Sequence, residues 1–123
     1  MTQNFANEHP IMYDDVRKIA TFIAEYFPML SISWFTEDTW STLAQDDNIK
    51  AMEEQTGLQA KVVKKPQFSR KDPVYKMLVM GTDADKLYEA TSAINHMDMS
   101  YTSGGYTSET CFEVKNTSEL TEE

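Results

Sequence analysis

From Ile11 to Phe27 the apolar side chains fall at Met12, Val16, Ile19, Ala20, Ile23 and Phe27, steps of mostly three and four that line one side of a helix. Pro10 suits a first helical position, where a missing N–H has no intrahelical partner to lose, and Asp14 and Asp15 lie near the positive end. Pro28 stops the helix. The pattern then changes to period two: Leu30, Ile32 and Trp34 oppose Ser31, Ser33 and Phe35, which predicts a strand over 29–35.

Thr36, Glu37 and Asp38 read as cap and first-turn residues of a second helical region, with Trp40, Leu43 and Ala44 facing inward. Asp46, Asp47 and Asn48 interrupt that stripe before Ile49 and Met52 resume it, predicting a bend or two short helices that end near Gly57. Leu58 to Lys65 alternates as an edge strand. Val74 to Met80 is apolar on both faces apart from Lys76 and fits a central strand, with the Pro66 to Pro73 segment closing a hairpin between the two. Thr82 or Asp83 then caps a third helix carrying Leu87, Ala90, Thr91, Ile94 and Met97, Thr82 and Asp85 having the spacing of a capping box. Met99 to Ser103 and Tyr106 to Val114 read as two strands turned at Gly104 and Gly105.

From the first strand onward the order is strand, helix, strand, strand, helix, strand, with one helix before it and one strand after. This predicts an α+β domain of the ferredoxin-like split βαβ type, with an added N-terminal helix and an extra C-terminal strand. Right-handed crossovers would put the 29–35 and 74–80 strands at the centre and 58–65 at an edge. The added helix must bury its stripe on the open sheet face, the alternative being association of two chains through that face. The pattern assigns 1–115 to a single domain, with 1–10 as an arm, and 116–123 to a flexible acidic tail.

Length and composition agree with one folded unit: 123 residues, 41% hydrophobic and 25% charged, with 6 Tyr, 6 Phe and 2 Trp, support a core of their own. One cysteine, Cys111, forms no intramolecular disulfide, and with 2 histidines it leaves too few soft ligands for an ordinary zinc site. No apolar run approaches the ~18 residues of a membrane span, and the expected location is the cytoplasm.

The signs of charge segregate. Between Lys61 and Lys76 six bases (Lys61, Lys64, Lys65, Arg70, Lys71, Lys76) meet one acid, Asp72, a local net of +5, whereas the rest of the chain carries 5 bases and 19 acids. An acidic body repels nucleic acid at long range and suits a basic partner. Its paired acids, Asp14 and Asp15, Glu37 and Asp38, Asp46 and Asp47, Glu53 and Glu54, are the candidate contact residues. The basic stretch, with Phe68 and Tyr75 interleaved, is the competing candidate for RNA or single-stranded DNA, Phe68 being placed at an exposed loop tip.

Catalytic signatures are absent from the pattern. There is no G-x-x-x-x-G-K-[ST] loop and no G-x-G-x-x-G turn, so a phosphate cradle of those kinds is unsupported. Gly81-Thr82-Asp83 suits a cap better than an anion site, because Asp83 and Asp85 oppose a bound anion. His96 next to Asp98 reads as a helix-end residue, with His9 distant, and no metal or cofactor is expected. Cys111 reads as packing, with no activating neighbour in the sequence. The sequence therefore favours a non-catalytic acidic binding or inhibitor protein engaging a basic partner, of the nucleic-acid-mimic kind that occupies the site of a DNA- or RNA-processing enzyme. The alternatives are nucleic-acid binding through the 61–76 segment and an enzyme whose site the sequence does not reveal.

Overall fold

A computed structural model describes residues 9–117 of the chain. The N-terminal arm up to residue 8 and the expected tail from 118 onward lie outside the described residues. The elements are α1 (Tyr13–Tyr26), β1 (Ser31–Phe35), β2 (Trp40–Thr42), α2 (Asp47–Thr56), β3 (Lys61–Val62), β4 (Lys76–Met80), α3 (Ala84–Asn95), β5 (Thr102–Ser108) and β6 (Cys111–Asn116). Among the described residues the architecture is mixed α+β, with three helices and one six-stranded sheet in the order β3-β2-β1-β4-β6-β5.

The sheet is built around β1 and β4, which pair antiparallel from Ser31↔Met80 to Phe35↔Lys76. Both strands are buried on both faces over nearly their whole length. Period-two alternation sends Ile32, Trp34, Met77, Val79, Phe112 and Val114 to one face, where they meet Val16, Ile19, Ala20 and Ile23 of α1 and Leu87, Ala90 and Ile94 of α3. Phe35, Leu78 and Met80 point the other way with Trp40, onto Ile49 and the half-buried Met52 of α2. The molecule is thus three layers, with α1 and α3 on one side of the sheet and α2 on the other. The uncovered-face problem raised by the α1 stripe is solved within the chain.

Several boundaries differ from the sequence pattern, each for a local reason. Met12, not Pro10, precedes the first turn of α1 and caps it without a side-chain hydrogen bond. The 36–57 region is not helical throughout: Trp40–Thr42 is a strand, because Trp40 stacks on Phe35 opposite it with ring centroids 5.6 Å apart and planes inclined by 2°. The acids that interrupt the stripe begin α2: Asp46 accepts a 3.0 Å hydrogen bond from the Ile49 N–H and another from the Ser31 hydroxyl. Gly57 ends α2 in the left-handed conformation, φ 76°. At α3 the cap is Asp83, whose carboxylate accepts from the Lys86 N–H at 3.2 Å, and not a Thr82–Asp85 box.

The expected hairpin between 58–65 and 74–80 does not form. β3 lies at the sheet edge, as its polarity predicts, but pairs in parallel with β2 through Ser41↔Lys61 and Thr42↔Val62. The 63–75 stretch consequently travels back past β2 and β1 before β4 begins. Gly104 and Gly105 are likewise not a turn. They lie inside β5, and the reversal comes at 108–111. Gly104 is required there because it faces Val114 under the Phe112 ring, where a side chain has no room. Asn116, assigned by the pattern to the tail, ends β6 and donates to the Pro10 carbonyl at 2.9 Å.

The two strand glycines should behave differently. A Cβ at Gly104 would fall on the Phe112 ring and 2.8 Å from the Glu113 carbonyl oxygen, whereas one at Gly105 would meet nothing within 4 Å. Gly104→Ala is expected to lower the unfolding free energy by about 1–3 kcal/mol. Gly105→Ala should change it by less than about 0.5 kcal/mol. Urea denaturation of the two variants distinguishes them.

Candidate functional site

The period-two rule sets the floor of a cavity at one end of the sheet. One cross-strand row runs Lys61, Ser41, Trp34, Met77, Val114, Gly104. Val114 and Met77 are closed over by the helices, but at the β3 end of the row no helix follows, and the face opens. A cavity of about 710 Å³ lies there, walled by Tyr13, Arg17 and Thr21 of α1, by Trp34, Ser41 and Lys61 of the sheet, by Thr36 and Thr39 of the β1–β2 turn, and by the segment from Val63 to Val74.

Its chemistry is cationic above and aromatic below. Arg17, Lys61 and Lys65 all line it, and none of them takes part in an ion pair among the described residues. Asp72 is the acid in the lining. Phe68 stands edge-on to Trp34 with centroids 5.0 Å apart, and the Tyr13 hydroxyl donates to the Phe68 carbonyl at 3.3 Å. The Arg70 guanidinium lies 4.1 Å from the centroid of the Tyr13 ring, with Arg17 at 5.7 Å. The segment that crosses the sheet is thereby pinned to α1 by a hydrogen bond, a cation–π contact and the Arg70–Asp14 ion pair at 3.9 Å.

Of the basic residues singled out in the sequence, Lys61 and Lys65 line this cavity, while Lys64 and Lys71 are exposed and outside its lining. Arg70 is engaged by Tyr13 and, at 3.9 Å, by Asp14. Lys76 is on the opposite sheet face, its ammonium 4.7 Å from the Phe35 ring centroid and 3.7 Å from Glu113. Lys76 is thereby set on a different face from Lys61. Phe68 is half-buried against the main core and not an exposed tip.

The paired acids are scattered as well. Asp14 is exposed, but Asp15 is buried and accepts a 2.7 Å hydrogen bond from the Thr102 hydroxyl, which ties α1 to β5. Glu37 and Asp38 sit in the β1–β2 turn, exposed. Asp46 is a cap, Asp47 and Glu54 are exposed on α2, and Glu53 accepts from Gln45 and from the Ala60 N–H at 2.7 and 2.9 Å. With α1 and α2 on opposite layers, these acids make no common face. Among the cavity residues that the sequence did not single out as site candidates are Arg17, Tyr13 and Trp34. Arg17 gave a faint signal, a cation on the polar side of an otherwise core-facing helix.

Residues 1–118 match the family model of the haloacid dehalogenase-like hydrolases. The chain belongs to that family. Membership of the haloacid dehalogenase-like hydrolases overturns the expectation of a non-catalytic inhibitor or nucleic-acid mimic, and favours the enzyme alternative in its place. Acidity misled because net charge speaks to solubility and long-range attraction, not to chemistry. No curated protein matches the chain at a significant level.

Solved structures share its fold. A Thermotoga maritima protein superposes with a TM-score of 0.72 at 16% identity, over 90% of this chain and 41% of its own. A Streptococcus mutans protein gives 0.68 at 16%, over 89% and 41%. A haloacid dehalogenase-like hydrolase from Bacteroides thetaiotaomicron gives 0.66 at 16%, over 88% and 40%. The chain thus spans about two-fifths of the length of these structures. Among the described residues no group of three or more His, Cys, Asp or Glu is gathered as a metal site, and no helix is long and apolar enough to cross a membrane.

Removing the Phe68 ring should loosen the wall of the cavity and expose Trp34. Phe68→Ala is expected to destabilise the fold by about 1–3 kcal/mol, less than a fully buried aromatic would. It should also shift Trp34 fluorescence towards the red. Chemical denaturation followed by that fluorescence reads both effects.

Proposed function

We propose that the chain serves the hydrolysis of an anionic substrate, and that the cavity between α1, the β1–β2–β3 half of the sheet and the 63–74 segment is where that substrate is bound. The observation that carries this reading is the convergence of Arg17, Lys61 and Lys65 on one cavity, with no ion pair to any of the three among the described residues. In a chain of net charge −9, cations gathered in a concave site focus a positive field that the rest of the surface opposes. A planar guanidinium and two ammonium groups supply donors for anion oxygens. Thr36, Thr39 and Ser41 add polar lining.

Hydrolysis enters from the family, and from the Bacteroides thetaiotaomicron hydrolase among the structural neighbours. Those neighbours are more than twice as long as this chain, so their whole-length activity is carried here as part of the proposal. The role assigned to the cavity residues is binding and orientation of the substrate. In this reading β4, α3 and β5, with β6 inserted between the two strands, form a split βαβ unit of ferredoxin-like kind that acts as scaffold, and the β1–β2–β3 half forms the binding side.

Inorganic phosphate is the simplest probe. It should shift the amide resonances of residues 61–65 and of the first turns of α1, with an affinity that falls as salt is added. Loss of one charge-assisted contact is worth about 1.5–3 kcal/mol, so Arg17→Ala and Lys61→Ala should each weaken phosphate by roughly tenfold to a hundredfold. Phosphate binding that is unaltered when Arg17→Ala and Lys61→Ala are combined, or shifts confined to other surfaces, would overturn the assignment.

A further inference from the structure

Three side chains of one sign of charge do not stay together unaided. Arg17, Lys61 and Lys65 are exposed on long stems, and with no anion between them both rotamer entropy and mutual repulsion favour swinging outward. They also come from three separate stretches of chain: Arg17 from α1, Lys61 from β3, and Lys65 from the segment that crosses the sheet. Lys61 is placed by the pairing of β3 with β2 at Ser41. The other two need a different device.

Tyr13 reaches both. Arg17 follows it by four positions on α1, so the two side chains share a helix face, and the guanidinium comes within 5.7 Å of the ring centroid. The crossing segment is fixed at its ends by backbone hydrogen bonds: the Val63 N–H donates to the Thr42 carbonyl at 2.9 Å and the Ile11 N–H to the Val74 carbonyl at 2.8 Å. Between those ends Tyr13 holds it twice, by its hydroxyl on the Phe68 carbonyl and by its ring against Arg70 at 4.1 Å. Lys65 lies between the Val63 and Phe68 attachments. The Arg70–Asp14 pair adds little, because its side chains are 72% and 78% exposed at 3.9 Å. The Phe68 ring against Trp34 ties the segment to the sheet but not to the helix that carries Arg17.

We infer that Tyr13 is the positioning residue of the anion site: it aims Arg17 and holds the segment bearing Lys65 against the same helix, so that the cations are spaced before an anion arrives. A site ordered in advance loses less conformational freedom on binding, and that saving appears as affinity. The inference rests on the proposed function above for its anion, and on the contacts of Tyr13 for its architecture.

Two variants separate the parts of the side chain: Tyr13→Phe keeps the ring and removes the hydroxyl, and Tyr13→Leu removes both. With no anion added, NMR should show a ring-current shift on the Arg17 side-chain protons in the wild type and in Tyr13→Phe, lost in Tyr13→Leu. Backbone order parameters over 65–70 should fall in both variants, further in Tyr13→Leu. Inorganic phosphate should bind Tyr13→Leu about threefold to tenfold more weakly than the wild type, with Tyr13→Phe in between. A purely structural role would weaken phosphate by the same factor on any background. Acting through Arg17, Tyr13→Leu should instead cost about twofold or less once Arg17 is already Ala, and its full factor once Lys61 is already Ala. Phosphate that fails to bind the wild type overturns the anion site and this role with it. Phosphate that binds the wild type and Tyr13→Leu equally well, or equal factors on the Arg17→Ala and Lys61→Ala backgrounds, overturns the role and leaves the anion site standing. An Arg17 shift that is the same in all three proteins overturns it too.

Discussion

Everything in this fold hangs on the antiparallel pairing of β1 with β4. Those strands are held in register from Ser31↔Met80 to Phe35↔Lys76 and are buried on both faces, so their backbone groups have no water to fall back on and must satisfy each other. Once the pairing is fixed, so is the face to which every side chain points. A slip of one residue would turn Trp34 and Met77 away from α1 and send Phe35 and Leu78 into their place. Helices α1 and α3 and helix α2 could not then find matching surfaces.

The same alternation decides which cations act together. Lys61 shares a row with Ser41 and Trp34 and so opens onto the face that α1 leaves uncovered. Lys76, only fifteen positions later in the chain, is aligned with Phe35 on the opposite face and is absorbed there by the Phe35 ring and Glu113. Arg17 arrives from a different layer. A site of this kind is a product of register and crossover path, and a count of charges along a segment does not contain it. The stretch from Val63 to Val74 is the other ingredient: it must travel from the sheet edge to the centre, and in doing so it walls the cavity it crosses.

Much of the architecture was legible because it is written in local periodicity. The α1 and α3 stripes, the apolar β4, the polar edge strand β3 and the glycine ending α2 all follow from spacing alone. What was illegible depends on partners distant in sequence. Trp40–Thr42 is too short to show a period and is a strand because Phe35 lies opposite it. Gly104 and Gly105 look like a turn, but Gly104 answers to the Phe112 ring. The parallel pairing of β3 with β2 has no local signature at all. Half of the cavity was visible as a basic run; the Arg17 and Trp34 half was not, since neither stands out until α1 is laid on the sheet.

The route of the chain through the central pair also bears on when the cavity comes into being. Phe35 meets Lys76, 41 positions further along, and the Ile11 N–H meets the Val74 carbonyl across a still longer span. Closing such loops is slow compared with forming α1 or the β5–β6 hairpin, because chain entropy is lost before distant contacts repay it. The cavity draws its walls from both ends of those loops, so no local piece of the chain contains it in working form. It is created in the same cooperative step that creates the folded molecule. A ligand that fills it selects the native state over the unfolded chain, and by mass action every increment of occupancy becomes an increment of stability.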